Sequence, residues 1–454
     1  MKNKKIVVCL KYFKGELNPF DGAALECALE TGAKDITALT MSPPSAKPAF
    51  QALTRLGVKC LFISDPVYAG SDTQATSFIL SEAIKRLNPD LVFCGRQSVD
   101  GDTAQVPPML AQRTGYAIQT KVMAFDGERV TLRSGESLVP QDKTVLTFEK
   151  IRTLRFPSIF SKLGEVETWD NHILQLPIEK CGLKGSPTRV VKSYESTVGR
   201  RDCQFFPVEK LGELIEQALN KPRQEQSQET GAKLKEVYFV GNVKSIAESI
   251  ANEAREFTIK DKTPETIARE LTGKTVLWED SDKLKVLASK AAVLCGAGLC
   301  ADCISFRVEN EKLIMTRPAL GGNITADIVC ESDTAFATVR TVKNEGTEVI
   351  FSVGKGAIDQ IEKIKELAKK YNAEVCCSRI VADSGKLPYE KQVGLTGRTV
   401  SPKVYVAFGI SGAVQHTCAI AGANTVIAVN TDKQERIFDY ADYGIITEAK
   451  DVEL

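Results

Sequence analysis

Residues 404–430 read VYVAFGISGAVQHTCAIAGANTVIAVN. Val404 to Ile410 is a continuous apolar run rich in β-branched residues, the pattern of a strand buried on both faces of a parallel sheet. Gly409, Ser411 and Gly412 follow, and the small residues after them predict a helix from about Ala413. A second apolar run, Thr425 to Asn430, predicts the next strand. A strand that feeds a helix through Gly and Ser leaves backbone N–H groups facing open space. A helix N-terminus also carries partial positive charge, so the turn suits a phosphate or pyrophosphate. The carboxyl ends of such strands form the usual nucleotide crevice. Gly-Ile-Ser-Gly-Ala does not fit G-x-G-x-x-G. A tight turn without a ligand is therefore an equally open reading of these residues alone.

Working outward, the segment is framed by other motifs. Ser378-Arg379, and Leu387-Pro388 with Gln392-Val393-Gly394-Leu395-Thr396-Gly397, precede it. Ile410-Ser411-Gly412-Ala413-Val414-Gln415-His416 lies within it, and Ala441-Asp442-Tyr443-Gly444 follows. Four motifs in one order and at this spacing closely resemble the FAD domain of the electron transfer flavoprotein α subunit. The resemblance implies roles. Arg379 would lie near the isoalloxazine ring, where a fixed cation favours the anionic reduced flavin. His416 would donate toward the ring O2. Gln392 and Thr396 would hold the N5 and O4 side. Ser378, Gly394, Ser411 and Gln415 would hold the ribityl chain and pyrophosphate, with Val393, Gly412 and Ala413 in the same loops. Asn430 and Asp442 would bind the adenosine part, a carboxylate being able to accept two ribose hydroxyls. A surface arginine capping a strand end and a core histidine are the plain alternatives for Arg379 and His416.

The chain has 454 residues, which is too long for one core and predicts two to four domains. Hydrophobic residues make up 43% and charged residues 26%, an ordinary balance, and the net charge of +1 implies no nucleic-acid partner. No apolar run reaches membrane-spanning length, and the apolar part of MKNKKIVVCLKYF is too short for a signal peptide. Thirteen scattered cysteines, several inside apolar strands, favour a reducing cytoplasm with free thiols.

Earlier in the chain, Lys5–Leu10, Ile36–Thr40, Cys60–Ser64 and Leu91–Gly95 read as short buried strands. Helical patterns alternate with them near 20–30, 46–56, 75–87 and 103–114, which predicts a parallel doubly wound sheet. Lys121–Phe125, Val130–Ser134 and Lys143–Phe148 are expected as an antiparallel set. The loop LVFCGRQSVDGDTAQVPP, residues 91–108, again follows a strand with a Gly and a polar stretch. Asp100 and Asp102 can accept from sugar hydroxyls or cap a helix, and Thr103 with nearby N–H groups can take a phosphate. With Asn18-Pro19-Phe20-Asp21 and Gly182-Leu183-Lys184-Gly185-Ser186-Pro187-Thr188-Arg189-Val190, this loop resembles the β subunit of the same flavoprotein over roughly residues 4–193. The segment between Lys11 and Asn18 is shorter than usual there, so a hairpin common at that place is expected to be lost.

That resemblance implies a second nucleotide site on Cys9, Asn18, Phe20, Asp21, Met41, Gly95, Ser98, Asp102, Thr103, Gln105 and Val106. It would hold AMP in a simple carrier, or a second FAD reduced by NADH in an electron-bifurcating one. The loop is closer to the second kind. Residues 152–163, RTLRFPSIFSKL, match the family's docking loop for partner dehydrogenases, with Ile159 and Phe160 as anchors; a core role for both is the other reading. Residues 200–233 read as a linker that carries one helical piece, Val208–Leu219, ahead of a polar Gln-rich stretch. Residues 234–342 resemble a shortened α-subunit N-terminal domain, and 343–454 its FAD domain.

The expected fold is therefore α/β: two nucleotide-binding-type parallel-sheet domains, with 1–199 as the first, plus a C-terminal Rossmann-like FAD-binding domain. The β-like part precedes the α-like part in one fused chain. Cys295, Cys300 and Cys303 approximate a ferredoxin spacing with Cys330 downstream, but the surrounding apolar pattern argues against a cluster, and no metal is expected. Three functions remain open. One is an FAD-containing carrier between an acyl-CoA dehydrogenase-type or other flavoenzyme and a second partner. Another is a bifurcating module that oxidises NADH. The third is a nucleotide-binding protein with decayed redox chemistry.

Overall fold

The computed structural model describes residues 1–197, 199–222, 231–342 and 346–453. It divides into two compact units. The first comprises 1–193, 231–320 and 326–339, and the second 194–230, 321–325 and 340–454.

The first unit contains two sheets built mainly of parallel strands. One has nine strands in the order Glu167–Trp169, Lys59–Ile63, Asp35–Met41, Lys5–Leu10, Leu91–Gly95, Thr144–Phe148, Ala117–Phe125, Val130–Leu132 and Ser137–Leu138. The helices Pro19–Glu30, Thr73–Leu87 and Val106–Thr114 connect its strands. The central strands are buried end to end, which explains their unbroken runs of Val, Ile and Leu. Thr144–Phe148 departs from the expected antiparallel set. It is parallel to both Leu91–Gly95 and Ala117–Phe125 and is wholly buried between them. In this sheet the Ala117–Phe125, Val130–Leu132 and Ser137–Leu138 strands pair antiparallel. The expected loss of the hairpin after Lys11 is also corrected. Tyr12–Phe13 pairs antiparallel with Glu16–Leu17 across Lys14 and Gly15, both at positive φ as a two-residue hairpin turn requires.

The other parallel sheet has the order Ala251–Glu256, Leu234–Val240, Thr275–Glu279, Ala335–Val339 and Gly298–Cys303. Cys300 and Cys303 lie in its last strand, inside a hydrophobic core that also holds Cys330, and the helix before it stops at Cys295. All thirteen cysteines are free.

The second unit is built on one parallel sheet: Gln204–Phe206, Tyr443–Ile446, Thr425–Asn430, Val404–Phe408, Val349–Val353 and Glu374–Cys377. Within the expected linker, Gln204–Phe206 forms an unexpected sheet edge, while the expected helical piece is present as Leu211–Asn220, which packs Leu211, Leu214, Ile215 and Ala218 into the core under it. The polar stretch at 223–230, where the linker reading is strongest, lies outside the described residues. Among the described residues no helix is long and apolar enough to cross a membrane.

Candidate functional site

In the second unit, three of the crevice loops leave the carboxyl ends of neighbouring parallel strands. Val404–Phe408 is wholly buried and releases the chain at Gly409, whose φ of +59° an L side chain rarely adopts. Gly412 has φ +83°, and a Cβ there would lie 2.1 Å from the Ile437 amide nitrogen. Only glycine fits so close an approach. The helix that follows is a single turn, Val414–Thr417, much shorter than expected. The anion cradle therefore comes from the loop itself. Among the described residues, no group accepts from the backbone N–H of Ser411, Gly412, Ala413, Val414 or Gln415. Such a run of free amides is available to an anion.

The neighbouring loops converge on it. Gly394, at φ +145°, brings its backbone against the Gln415 carbonyl, which accepts from Leu395 N at 2.6 Å. Gly397 leaves no room for a Cβ, which would sit 2.3 Å from the Gln392 carbonyl oxygen. Gln392 is buried and donates through Nε2 to Thr396 Oγ1 at 2.9 Å. Val393 is core, its amide donating to Cys377 O. Ser378 follows the Glu374–Cys377 strand, and its buried hydroxyl has no hydrogen-bond partner among the described residues. Asn430 donates from Nδ2 to Ile410 O at 3.0 Å and so ties two strand ends together. An orphaned hydroxyl, free amides and glycine-only approaches are what a flavin dinucleotide's pyrophosphate and ribityl chain require, so these residues fit the group.

One assignment changes. Asp442 precedes the Tyr443–Ile446 strand, at the amino end of the sheet, where Oδ2 accepts from Arg201 Nη1 at 2.5 Å and Val426 N at 2.8 Å. The crevice lies at the other end, about 13 Å along a four-residue strand. The carboxylate beyond that strand's carboxyl end is Glu448, which sequence reading missed. Its only signal was its place just after the last strand. His416 is turned into the core, with Nε2 2.8 Å from the Tyr405 hydroxyl. Burial drives its pKa down to about 4, against an opposing pull from the Val393 backbone, so the ring is neutral. Arg379 opens the short helix after Ser378 and shares its charge with Asp383, 3.2 Å away, which weakens its field.

The first unit holds a cleft of about 860 Å³ at the carboxyl ends of its large sheet. Cys9, Asn18, Asp21, Met41, Gly95, Ser98, Thr103, Gln105 and Val106 all line it. Phe20 and Asp102 do not; Phe20 is buried, with its ring 5.6 Å from the Arg96 guanidinium. Asp102 does not cap a helix either. The helix starts at Val106, and Asp102 Oδ1 accepts from Gln97 Nε2 at 2.8 Å. Asp100 is taken by Lys11 Nζ at 2.7 Å. Asp21 is structural as well. Its two oxygens accept from Lys11 N at 2.7 Å and Gly95 N at 3.0 Å, locking two strand ends together. Burial raises its pKa to about 7 despite those bonds. Gln105 is buried, accepting from Thr73 Oγ1 at 2.9 Å and donating to Leu299 O at 3.2 Å. Sequence reading missed Ser42, Ser64, Thr73 and Thr76, whose hydroxyl-bearing residues also line the cleft. The start of the Thr73 helix, marked by its Asp72 cap, was the available clue.

Comparisons with known proteins agree with this architecture. The electron transfer flavoprotein domain model matches residues 6–137 and 260–366, and the electron transfer flavoprotein FAD-binding domain model matches 345–421. The electron transfer flavoprotein α subunit of Thermoanaerobacterium thermosaccharolyticum is 32% identical over 263 residues, covering 46% of this chain and 76% of the relative. The electron transfer flavoprotein β subunit of Clostridium acetobutylicum is 32% identical over 240 residues, covering 49% and 87%. The acryloyl-CoA reductase electron transfer subunit β of Anaerotignum propionicum is 34% identical over 238 residues, covering 41% and 64%. The C-terminal match brings FAD binding with it, and the chain belongs to the electron transfer flavoprotein family.

Proposed function

We propose that this chain is a β-first fusion of the two flavoprotein subunits, carrying electrons between flavoenzymes through the FAD of its second unit. The observation that carries the reading is the glycine-built loop 409–415, with its five free amides, within the stretch matched as an FAD-binding domain. Bound FAD supplies one-electron and two-electron redox chemistry. The chain's own residues do the rest. Ser411 to Gln415 present amides to the pyrophosphate, Ser378 offers a hydroxyl, and Gln392 with Thr396 orients polar groups beside the ring. Arg379 supplies positive potential at the crevice. His416, neutral and braced by Tyr405, keeps its surroundings free of a second cation.

The partner is a flavoenzyme of the acyl-CoA dehydrogenase type, docking on residues 152–163. The name of the Anaerotignum relative supports that class. So does the loop: Phe156, Ile159 and Phe160 are 95%, 85% and 86% exposed, which removes the core reading. Its base is pinned by Arg152 to Glu30 at 2.6 Å and by a bidentate Arg155–Glu26 pair, and its far end by Gly164 N to Thr54 Oγ1 at 2.8 Å. An anchored loop with exposed apolar tips suits transient docking.

The cleft of the first unit takes a second FAD, reduced by NADH. Its volume, in the upper part of the range of about 300–1,000 Å³ for ligand sites, is compatible with a nucleotide of that size. Nucleotide extraction followed by anaerobic NADH titration tests this. Two FAD per chain and bleaching by NADH are expected. One FAD with one AMP, and no bleaching, would leave the simple carrier. A colourless protein that takes up no FAD would overturn the redox reading altogether.

A further inference from the structure

A separate cavity of about 570 Å³ opens on another face of the helix Thr73–Leu87. Four cations line it, Arg113, Lys180, Lys184 and Arg189, against two carboxylates, Glu179 and Glu331. Glu331 is already paired with Lys312 at 3.0 Å. Among the described residues none of the four cations makes an ion pair, in a chain whose other charges pair freely.

Arg113 is the most telling. Its Nε donates to Ser77 Oγ at 3.1 Å and its Nη2 to Gln74 Oε1 at 2.7 Å. Gln74 is itself buried and immobilised, its Nε2 donating to Ala292 O and Ala297 O at 2.8 Å each. All these partners are neutral. Burial lowers the guanidinium's pKa, and Glu82 and Asp72 only partly oppose that from longer range. Proteins seldom bury a charge without a counter-ion. Here a guanidinium is held in a fixed pose, with Nη1 uncommitted, at the wall of a cavity.

The other cations are held too. Lys180 sits 5.7 Å from the Phe78 ring centroid, and Arg113 5.6 Å from it. Lys184 and Arg189 flank a turn fixed by glycines. A Cβ at Gly182 would lie 2.3 Å from Val67 O, and one at Gly185 2.1 Å from the Lys180 carbonyl carbon. Arg189 Nη2 donates to Leu183 O at 2.6 Å. Phe78, Pro187 and Val293 add an apolar wall.

We propose that this cavity binds an organic diphosphate of nucleotide size, with the diphosphate among Arg113, Lys180, Lys184 and Arg189 and the organic part against Phe78, Pro187 and Val293. Guanidinium and ammonium groups bind phosphate oxygens through short, charge-assisted hydrogen bonds. The cavity exceeds what inorganic phosphate fills and falls in the size range of small-molecule sites. The proposal is independent of which nucleotide occupies the large cleft.

The test uses the full-length flavin-loaded chain with ADP as probe. Calorimetry should show an ADP site that Lys184→Gln with Arg189→Gln weakens roughly ten-fold or more, the effect of removing charge-assisted hydrogen bonds. Lysine acylation read by mass spectrometry should show ADP protecting Lys180 and Lys184, which separates this cavity from the cleft. Arg113→Gln should weaken ADP likewise; the exposed double variant carries the test if that variant does not fold. Pyrophosphate should bind more weakly than ADP. Unchanged affinity in the double variant, or no protection of Lys180 and Lys184, would overturn the site. Equal affinity for ADP and pyrophosphate would overturn the place given to the organic part.

Discussion

Gly412→Ala is the sharpest test of the flavin crevice. At φ +83° a side chain is rarely tolerated, and the left-handed conformation costs an L residue about 1–2 kcal/mol. The new Cβ would also lie 2.1 Å from Ile437 N and 2.5 Å from Arg436 C and Ile437 Cα. These are backbone atoms, so no rotamer change relieves the contact, and forcing the segments apart adds about 1–3 kcal/mol. The total, about 2–5 kcal/mol, is a large part of the roughly 5–15 kcal/mol that holds a domain folded. Separation would break the Ile437 N to Ser411 O bond, now 3.1 Å, and swing the free amides of 411–413 out of place. The assay is flavin retention by visible absorbance together with a urea melt. A lower midpoint and at least about ten-fold weaker FAD binding are expected, since 1.4 kcal/mol is a factor of ten. Gly231→Ala is the control: its Cβ would meet nothing within 4 Å, and its φ lies outside the left-handed region. It should stay within about 0.5 kcal/mol of wild type. Wild-type flavin affinity and midpoint in Gly412→Ala would refute the account of the cradle.

Other tests address the remaining elements. Ile159→Ala with Phe160→Ala should slow electron transfer to a docked flavoenzyme while moving the urea midpoint by less than about 0.5 kcal/mol, because both side chains are exposed; clear destabilisation would count against a docking role. Asp21 has its pKa raised on folding, so its contribution is favourable at acid pH and is lost as pH rises through about 7. Unfolding free energies at pH 5 and pH 8 should therefore differ by about 2–3 kcal/mol more in wild type than in Asp21→Asn, from about 1.4 kcal/mol per pKa unit; equal differences would show that the carboxylate stays ionised. For His416, lowered to about 4, stability is present above the ordinary histidine range and is lost as pH falls toward 4. Its ring proton resonance should stay at the neutral position from pH 8 to 5, and titration near 6.5 would disprove its burial against Tyr405.

Much was legible from local pattern alone. Unbroken apolar runs such as Ile6–Leu10 and Val404–Phe408 identify strands buried on both faces, and Gly-Ser turns after them identify the loops that make the crevices, because each depends on neighbouring residues only. Asp442 shows where such reading stops. A carboxylate beside a strand can stand at either end of the sheet, and register against Thr425–Asn430 puts this one at the amino end, paired with Arg201 from 241 residues away. The same holds for Gln204–Phe206, whose polar neighbourhood reads as linker until a distant strand edge pairs with it. Ile159 and Phe160 carry an identical hydrophobic signal whether buried or exposed; the folded loop leaves both exposed. Arg113 lies in an unremarkable helix sequence, and its pairing with neutral Gln74 and Ser77, with no ion pair among the described residues, exists only once the chain is folded. Strand identity and turn chemistry are set within a few residues, while charge pairing, burial and which face a side chain meets are sums over contacts that the chain brings together from far apart.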